Sequence, residues 1–110
     1  MNEKAARKHR DGTGASYNLN VIEIEALLRA GPKHGYELKK ELDRVFGRKT
    51  SFGSLYPLLR GLERDGNIKG ERETGKKDAE IIVYALTSQG REKFKKEIER
   101  ISLLVSLLKA

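Results

Sequence analysis

A chain of 110 residues with 37% apolar and 35% charged side chains has room for one small core under a heavily charged surface, which excludes two independent domains. With 23 Lys and Arg against 16 Asp and Glu the formal net charge is +7, and this balance favours polyanionic partners such as nucleic acid. The absence of cysteine rules out a disulfide framework, a thiol nucleophile and thiolate metal sites.

Residues 1–16 are polar, with Lys4, Arg7, Lys8, His9 and Arg10 ahead of a glycine-containing stretch. They read either as a basic arm for phosphate or as a disordered terminus. Nothing there resembles the apolar core of a secretory signal, and the longest mostly apolar stretch, Ile101 to Leu108, falls well short of the roughly 18 residues that cross a bilayer. The expectation is a cytoplasmic protein with no membrane partner. Asn20 can cap a first helix reaching Ala30, largely buried through Val21, Ile22, Ile24, Leu27 and Leu28, and Gly31-Pro32 ends it. His34-Gly35-Tyr36-Glu37 opens a second helix with Leu38, Leu42, Val45 and Phe46 inside and Lys39, Lys40, Glu41 and Arg44 outside, stopped by Gly47. His34 caps or packs in the turn, since neither spacing nor neighbours suggest catalysis or a metal.

Ser51 to Asp65 is the third helix and the most informative stretch. Leu55, Leu58, Leu59 and Leu62 stand at i, i+3, i+4 and i+7, with Phe52 extending the stripe. Gly53, Tyr56, Pro57, Arg60 and Arg64 turn to the other side, which suits either a nucleic-acid groove or plain solvent. Thr50 or Ser51 supplies the cap. Pro57 is compatible with helix if regular turns begin near Ser54, and a distorted first turn is expected. Two helices joined by a brief turn make a helix-turn-helix.

Asp65-Gly66-Asn67 ends that helix. Strands are predicted over Ile68–Glu73 and Ile81–Leu86, around a polar tip that contains Lys76 and Lys77. A hairpin after a helix-turn-helix is a winged helix, so the predicted fold is mainly α with a small β-hairpin and a long C-terminal helix. Arg72, Lys76 and Lys77 are the wing's candidates for phosphate, opposed by Glu71, Glu73, Asp78 and Glu80. Thr87 caps the final helix from Ser88 to about Lys109, in which Phe94, Ile98, Ile101, Val105 and Leu108 form a packing seam and Leu104 widens it. Leu103 and Leu107 project from the far side. Such a helix is covered either by a second subunit or by folding back on its own domain.

Four stretches stand in a register that resembles the PadR family of winged-helix transcriptional regulators: His34-Gly35-Tyr36-Glu37, Ser51 to Leu59, Leu62 to Ile68, and Tyr84 to Thr87 with Gly90. The resemblance runs from about Ile22 to Lys96. It implies a short form that dimerises through one C-terminal helix, and repression of promoters at inverted repeats in double-stranded DNA. By the same resemblance the third helix enters the major groove by its N-terminal part, with Ser51, Gly53, Ser54, Tyr56 and Pro57 at the matching positions and Tyr36 supporting backbone contacts. Phe52 stands where the family usually has proline. A small hydrophobic effector, or a change in dimer geometry, would then alter the separation of the reading helices, with the apolar C-terminal helices as pocket wall. The division expected is residues 1–16 as tail, 17–87 as the DNA-binding unit and 88–110 as the dimerisation helix.

Within the reading helix, Ser54 and Tyr56 would donate to phosphate or a base edge and Gly53 would admit close backbone approach. Arg60, Arg64 and Lys49 suit phosphate better than guanine. Tyr36 meets phosphate or packs across a core edge. Two other classes compete: a basic protein that coats DNA without regard to sequence, and a winged-helix module for acidic protein partners. An enzyme would need a nucleophile or metal cluster, and no cofactor is implied.

Overall fold

The structure, a computed structural model, describes residues 15–74 and 80–110. Helix α1 spans Ala15–Arg29, strand β1 Lys33–His34, α2 Gly35–Phe46, α3 Phe52–Arg64, β2 Ile68–Thr74, β3 Glu80–Leu86 and α4 Ser88–Lys109. This is a winged helix-turn-helix followed by a long helix.

One buried cluster holds these elements together. α1 contributes Ile24 and Leu28, α2 Leu38 and Leu42, α3 Leu55, Leu59 and Leu62, and the strands Ile68, Tyr84 and Leu86. The helical residues among them recur at steps of three and four, so each helix turns one apolar stripe inward. Leu58 packs against the edge of the same cluster.

The observed elements differ from expectation at several points. α1 starts at Ala15, so Asn20 lies inside it rather than at its cap, and the last two residues assigned to the tail are helical. Asparagine is only a few tenths of a kcal/mol worse than average in a helix interior, less than the burial of Ile24 and Leu28 returns. Residues Lys4 to Arg10 of the proposed basic arm lie outside the described residues. The hairpin gains a third strand, because Lys33 and His34 pair with Tyr84 and Val83 and give the order β1-β3-β2. Val45 and Phe46, expected inside, are exposed. They are the last two residues of α2 and lie outside the core cluster that holds Leu38 and Leu42.

The turn between α2 and α3 is clipped at both ends. Gly47 takes the left-handed conformation (φ 66°) that ends α2, and its N–H donates to the Asp43 carbonyl. The Asp43 carboxylate accepts from the Thr50 N–H at 2.9 Å and from Lys39 Nζ at 3.1 Å. These contacts, the Thr50 amide foremost, hold that carboxyl below its usual range. Arg48 reaches back to α1, where Nε and a terminal nitrogen donate to the two oxygens of Glu23 at 2.9 and 2.7 Å. Such a fork fixes direction as well as distance. α2 itself opens on a reciprocal arrangement in which the His34 N–H donates to Glu37 Oε1 at 2.7 Å.

Under α1 lies a charge that the sequence pattern did not single out. Glu25 is 0% exposed, with Lys93 Nζ 3.4 Å from one carboxylate oxygen and no partner among the described residues for the other. Burial pushes its carboxyl above the usual range, and Lys93 only partly offsets this.

Candidate nucleic-acid interface

α3 is held by its leucines and opened by its cap. Ser51 Oγ accepts from the Ser54 N–H at 3.1 Å, and the Ser54 and Leu55 amides both reach the Ser51 carbonyl. The first turn is therefore regular, and helix begins at Phe52 rather than near Ser54. Pro57 is the sixth residue of that helix and offers no N–H to the Gly53 carbonyl. Gly53 is exposed, so water can replace the lost bond. A side chain built at Gly53 would meet only Ser51 Oγ, at 3.8 Å, so nothing in the chain's own packing demands a glycine there.

Ser51, Gly53, Ser54, Pro57, Arg60 and Arg64 are all exposed along α3, with Lys49 exposed just ahead of the cap. The positive end of the helix dipole lies at the same end as the serines. Phe52 is not part of the buried stripe. It is 38% exposed and stacks on the Tyr56 ring with centroids 5.6 Å apart. The two rings lie one turn apart, so an aromatic at 52 stiffens the helix entry by contact rather than by a fixed φ.

Tyr56 itself is half-buried. A side chain built at Gly35 would come within 2.6 Å of its hydroxyl, so the bare backbone at the start of α2 is what gives that ring its place. Tyr36, by contrast, is 61% exposed, with Lys40 Nζ 5.4 Å from the ring centre. It does not pack across the core. Tyr36, Tyr56, Arg60, Glu63, Ile82 and Tyr84 line an open groove of about 570 Å³ between α2, α3 and the sheet. Burial, reinforced by Tyr56 and Glu63, pushes the Tyr84 hydroxyl up, so it stays a neutral donor at ordinary pH.

The structure separates two residues that the sequence put on one face. Arg60 lines the groove with Tyr36 and Tyr56, whereas Arg64 lines a second cleft with Val21, Ile22, Lys93 and Glu97. Their side chains flank α3 on opposite sides. On the wing, Arg72 is exposed in β2 between Glu71 and Glu73, and Lys69 pairs with Glu71 at 3.2 Å. His34 Nε2 stands 3.8 Å from Glu73 and Nδ1 3.1 Å from Glu37, which joins α2 to the wing. Lys76 and Lys77 lie outside the described residues.

Sequence reasoning passed over Glu63 and Gly70. The Gly70 N–H of β2 donates to Glu63 Oε2 at 3.1 Å, and a side chain at Gly70 would meet Ile82, Tyr84 and Glu63 within 3.1 Å. The signal was present, since an isolated glycine inside a strand marks close approach by another group.

At the other end of the chain, Phe94 is buried against its own domain and so is withdrawn from the seam assigned to it. Ile101 is half-buried, while Ile98, Leu103, Leu104, Val105, Leu107 and Leu108 are exposed, Leu108 at 85%. The cleft where α4 leaves α1, about 640 Å³, is lined by Arg29, Arg91 and Lys95 as well as Phe94 and Ile98. It is more charged than the wall expected for a purely hydrophobic effector. Among the described residues no helix is long and apolar enough to cross a membrane, and no group of His, Asp and Glu could hold a metal ion.

The arrangement is similar to solved structures. A transcriptional regulator of Thermoplasma acidophilum is 26% identical, with a TM-score of 0.74 over 84% of this chain and 88% of its own. A PadR-like transcription factor of Bacteroides fragilis is 20% identical, with a TM-score of 0.76 over 97% of both chains. PadR of Bacillus subtilis, solved in complex with operator DNA, is 24% identical, with a TM-score of 0.66 over 71% of this chain and 45% of its own. A comparison with curated protein sequences gave no match. The model of the transcriptional regulator PadR-like family matches residues 24–96, well over half the sequence and all the elements from α2 to the start of α4, and the chain belongs to that family.

Proposed function

We propose that this protein is a DNA-binding repressor that works in the cytoplasm as a homodimer on an inverted-repeat operator. The observation that carries the reading is the open face of α3, where two serines, a glycine free of any packing duty and Arg60 lie beside the groove that holds Tyr36. In this reading Ser51, Gly53, Ser54 and Pro57 enter the major groove, and Tyr36, Lys49 and Arg60 hold phosphate on its flanks. Arg64 and Arg72 are secondary contacts, with Lys76 and Lys77 at the tip. The operator complex of the Bacillus subtilis relative supports the same use of this fold.

The dimer rests on α4. Leu103, Leu104, Leu107 and Leu108 are too apolar a set to leave in water at the end of a charged domain, and a twofold pairing of α4 covers them. Residues 17–87 then serve DNA and residues 88–110 serve the dimer. Two reading helices so held address major grooves about 34 Å apart, which calls for a palindromic site. The net charge of +7 favours a second reading, a basic protein that coats DNA of any sequence.

Selection of binding sites from random duplex DNA at about physiological salt separates the two. An enriched inverted repeat with half-sites one helical turn apart is expected. Retention of DNA with no enriched sequence would leave the coating reading, and no retention would overturn both.

A further inference from the structure

The reading helix and the dimer helix meet at one joint, and the contacts there are denser than a loop needs. Asp65 caps the end of α3, and Gly66 adopts the left-handed conformation (φ 83°). The last carbonyls of α3 are met by the amides that follow it, Asp65 to Gly61, Gly66 to Glu63 and Asn67 to Leu62, and the carbonyls of Asp65, Gly66 and Asn67 take their donors from the start of α4. Thr87 Oγ1 donates to the Gly66 carbonyl at 2.7 Å while accepting from the Gly90 N–H at 2.9 Å. The Thr87 N–H donates to the Asn67 carbonyl at 3.1 Å. Gln89 Nε2 donates both to the Asp65 carbonyl, at 2.8 Å, and to Asn67 Oδ1, at 3.0 Å. A side chain built at Gly90 would collide with the backbone carbonyl of Asn67, so the start of α4 lies directly on the short segment that joins α3 to β2. Asn67 is itself buried, and its N–H donates to the Leu62 carbonyl of α3.

Beside this backbone contact, the side chains of Thr87 and Gln89 bridge the start of α4 to residues 65–67 at the end of α3, and the Thr87 N–H continues the β2–β3 ladder onto Asn67. We propose that Thr87, Gln89 and Gly90 are positioning residues that lock α3 to α4 as one rigid body, so that the pairing angle of two α4 helices sets the spacing and phase of the two reading helices on DNA. This rests on the dimeric DNA-binding reading above. The cap residue of α4 has one hydroxyl that serves its own helix and α3 at once. Gln89 is exposed on the surface and contributes nothing to the core, which leaves the bridge to α3 as its structural role. A ligand or contact that changes how two α4 helices cross would then move α3 without bending the chain at residue 87.

The test uses the full chain and a set of duplexes carrying the selected half-sites at their natural spacing, and with one or two base pairs inserted or removed. Each base pair rotates one half-site by about 34° against the other, so a rigid body should reject the altered spacings. Wild type is expected to prefer one spacing by at least about tenfold. Gln89→Ala, a surface change, should leave fold, dimer mass and affinity for a single half-site unchanged and reduce that preference by about threefold to tenfold, the size of one or two lost hydrogen bonds. Gly90→Ala should reduce it further. A Gln89→Ala protein that keeps the full spacing preference would overturn the joint and leave the repressor reading standing. Wild type that binds half-sites with no spacing preference would overturn the dimeric operator reading, and the joint with it.

Discussion

At the scale of single residues, space and solvation decide what the sequence alone could not. Gly35 reads as an ordinary helix-opening glycine, yet its missing side chain is the seat of the Tyr56 ring. Gly35→Ala should force that ring aside, break its stack on Phe52 and destabilise the protein by about 1–3 kcal/mol, the usual range for overpacking, as read by denaturant unfolding. Glu25 makes a prediction in pH. Its carboxyl holds a proton more tightly when folded than when unfolded, because burial penalises the charge. The folded state therefore binds more protons between the ordinary and the raised value, and this group's contribution to stability is greatest on the acid side and falls as pH rises through that window. Glu25→Gln should remove that fall and flatten the profile of unfolding free energy between acid and neutral pH. An unchanged profile would mean that Lys93 compensates the buried charge completely.

Among elements, α3 carries the most information and was the easiest to read. Its leucines at steps of three and four placed the buried side, and Leu55, Leu59 and Leu62 are buried as that spacing requires. Phe52, Val45 and Phe46 show where periodicity stops helping. Phase tells which side of a helix a residue occupies, but not how far along that side the neighbouring elements extend. β1 escaped notice because two residues leave no alternation to detect, and the buried state of Phe94 depends on how α4 leaves the sheet. The groove beside α3 was legible as residue types, Tyr36, Tyr56 and Arg60, but the separation of Arg60 from Arg64 comes from the positions of α1 and α4. The two arginines should therefore differ in effect. Arg60→Ala should weaken DNA binding on all sequences alike and reduce the salt slope by about 1, as loss of one phosphate contact does. Titrations at several salt concentrations read both quantities, and Arg64→Ala should change them less.

For the whole molecule, the open question in the sequence was what covers the end of α4, and the single chain leaves Leu103, Leu104, Leu107 and Leu108 bare. Replacing Leu104 and Leu107 together by glutamate should give a monomer in light scattering at micromolar concentration while the circular dichroism of the winged helix is kept, since neither residue belongs to the core cluster. The same variant should lose the advantage of a two-half-site operator over a single half-site. A dimeric mass in that variant would mean that another surface joins the protomers. The function of the molecule turns on whether α3 reads sequence or merely meets charge. The most direct measurement is the affinity of the wild-type protein for its selected site and for a scrambled duplex of equal length, each titrated from low to physiological salt. If α3 reads sequence, both affinities weaken with salt while the selected site keeps a preference of at least about a thousandfold at physiological salt, the lower end for specific recognition. Two affinities that fall together and coincide at physiological salt would contradict sequence reading by α3.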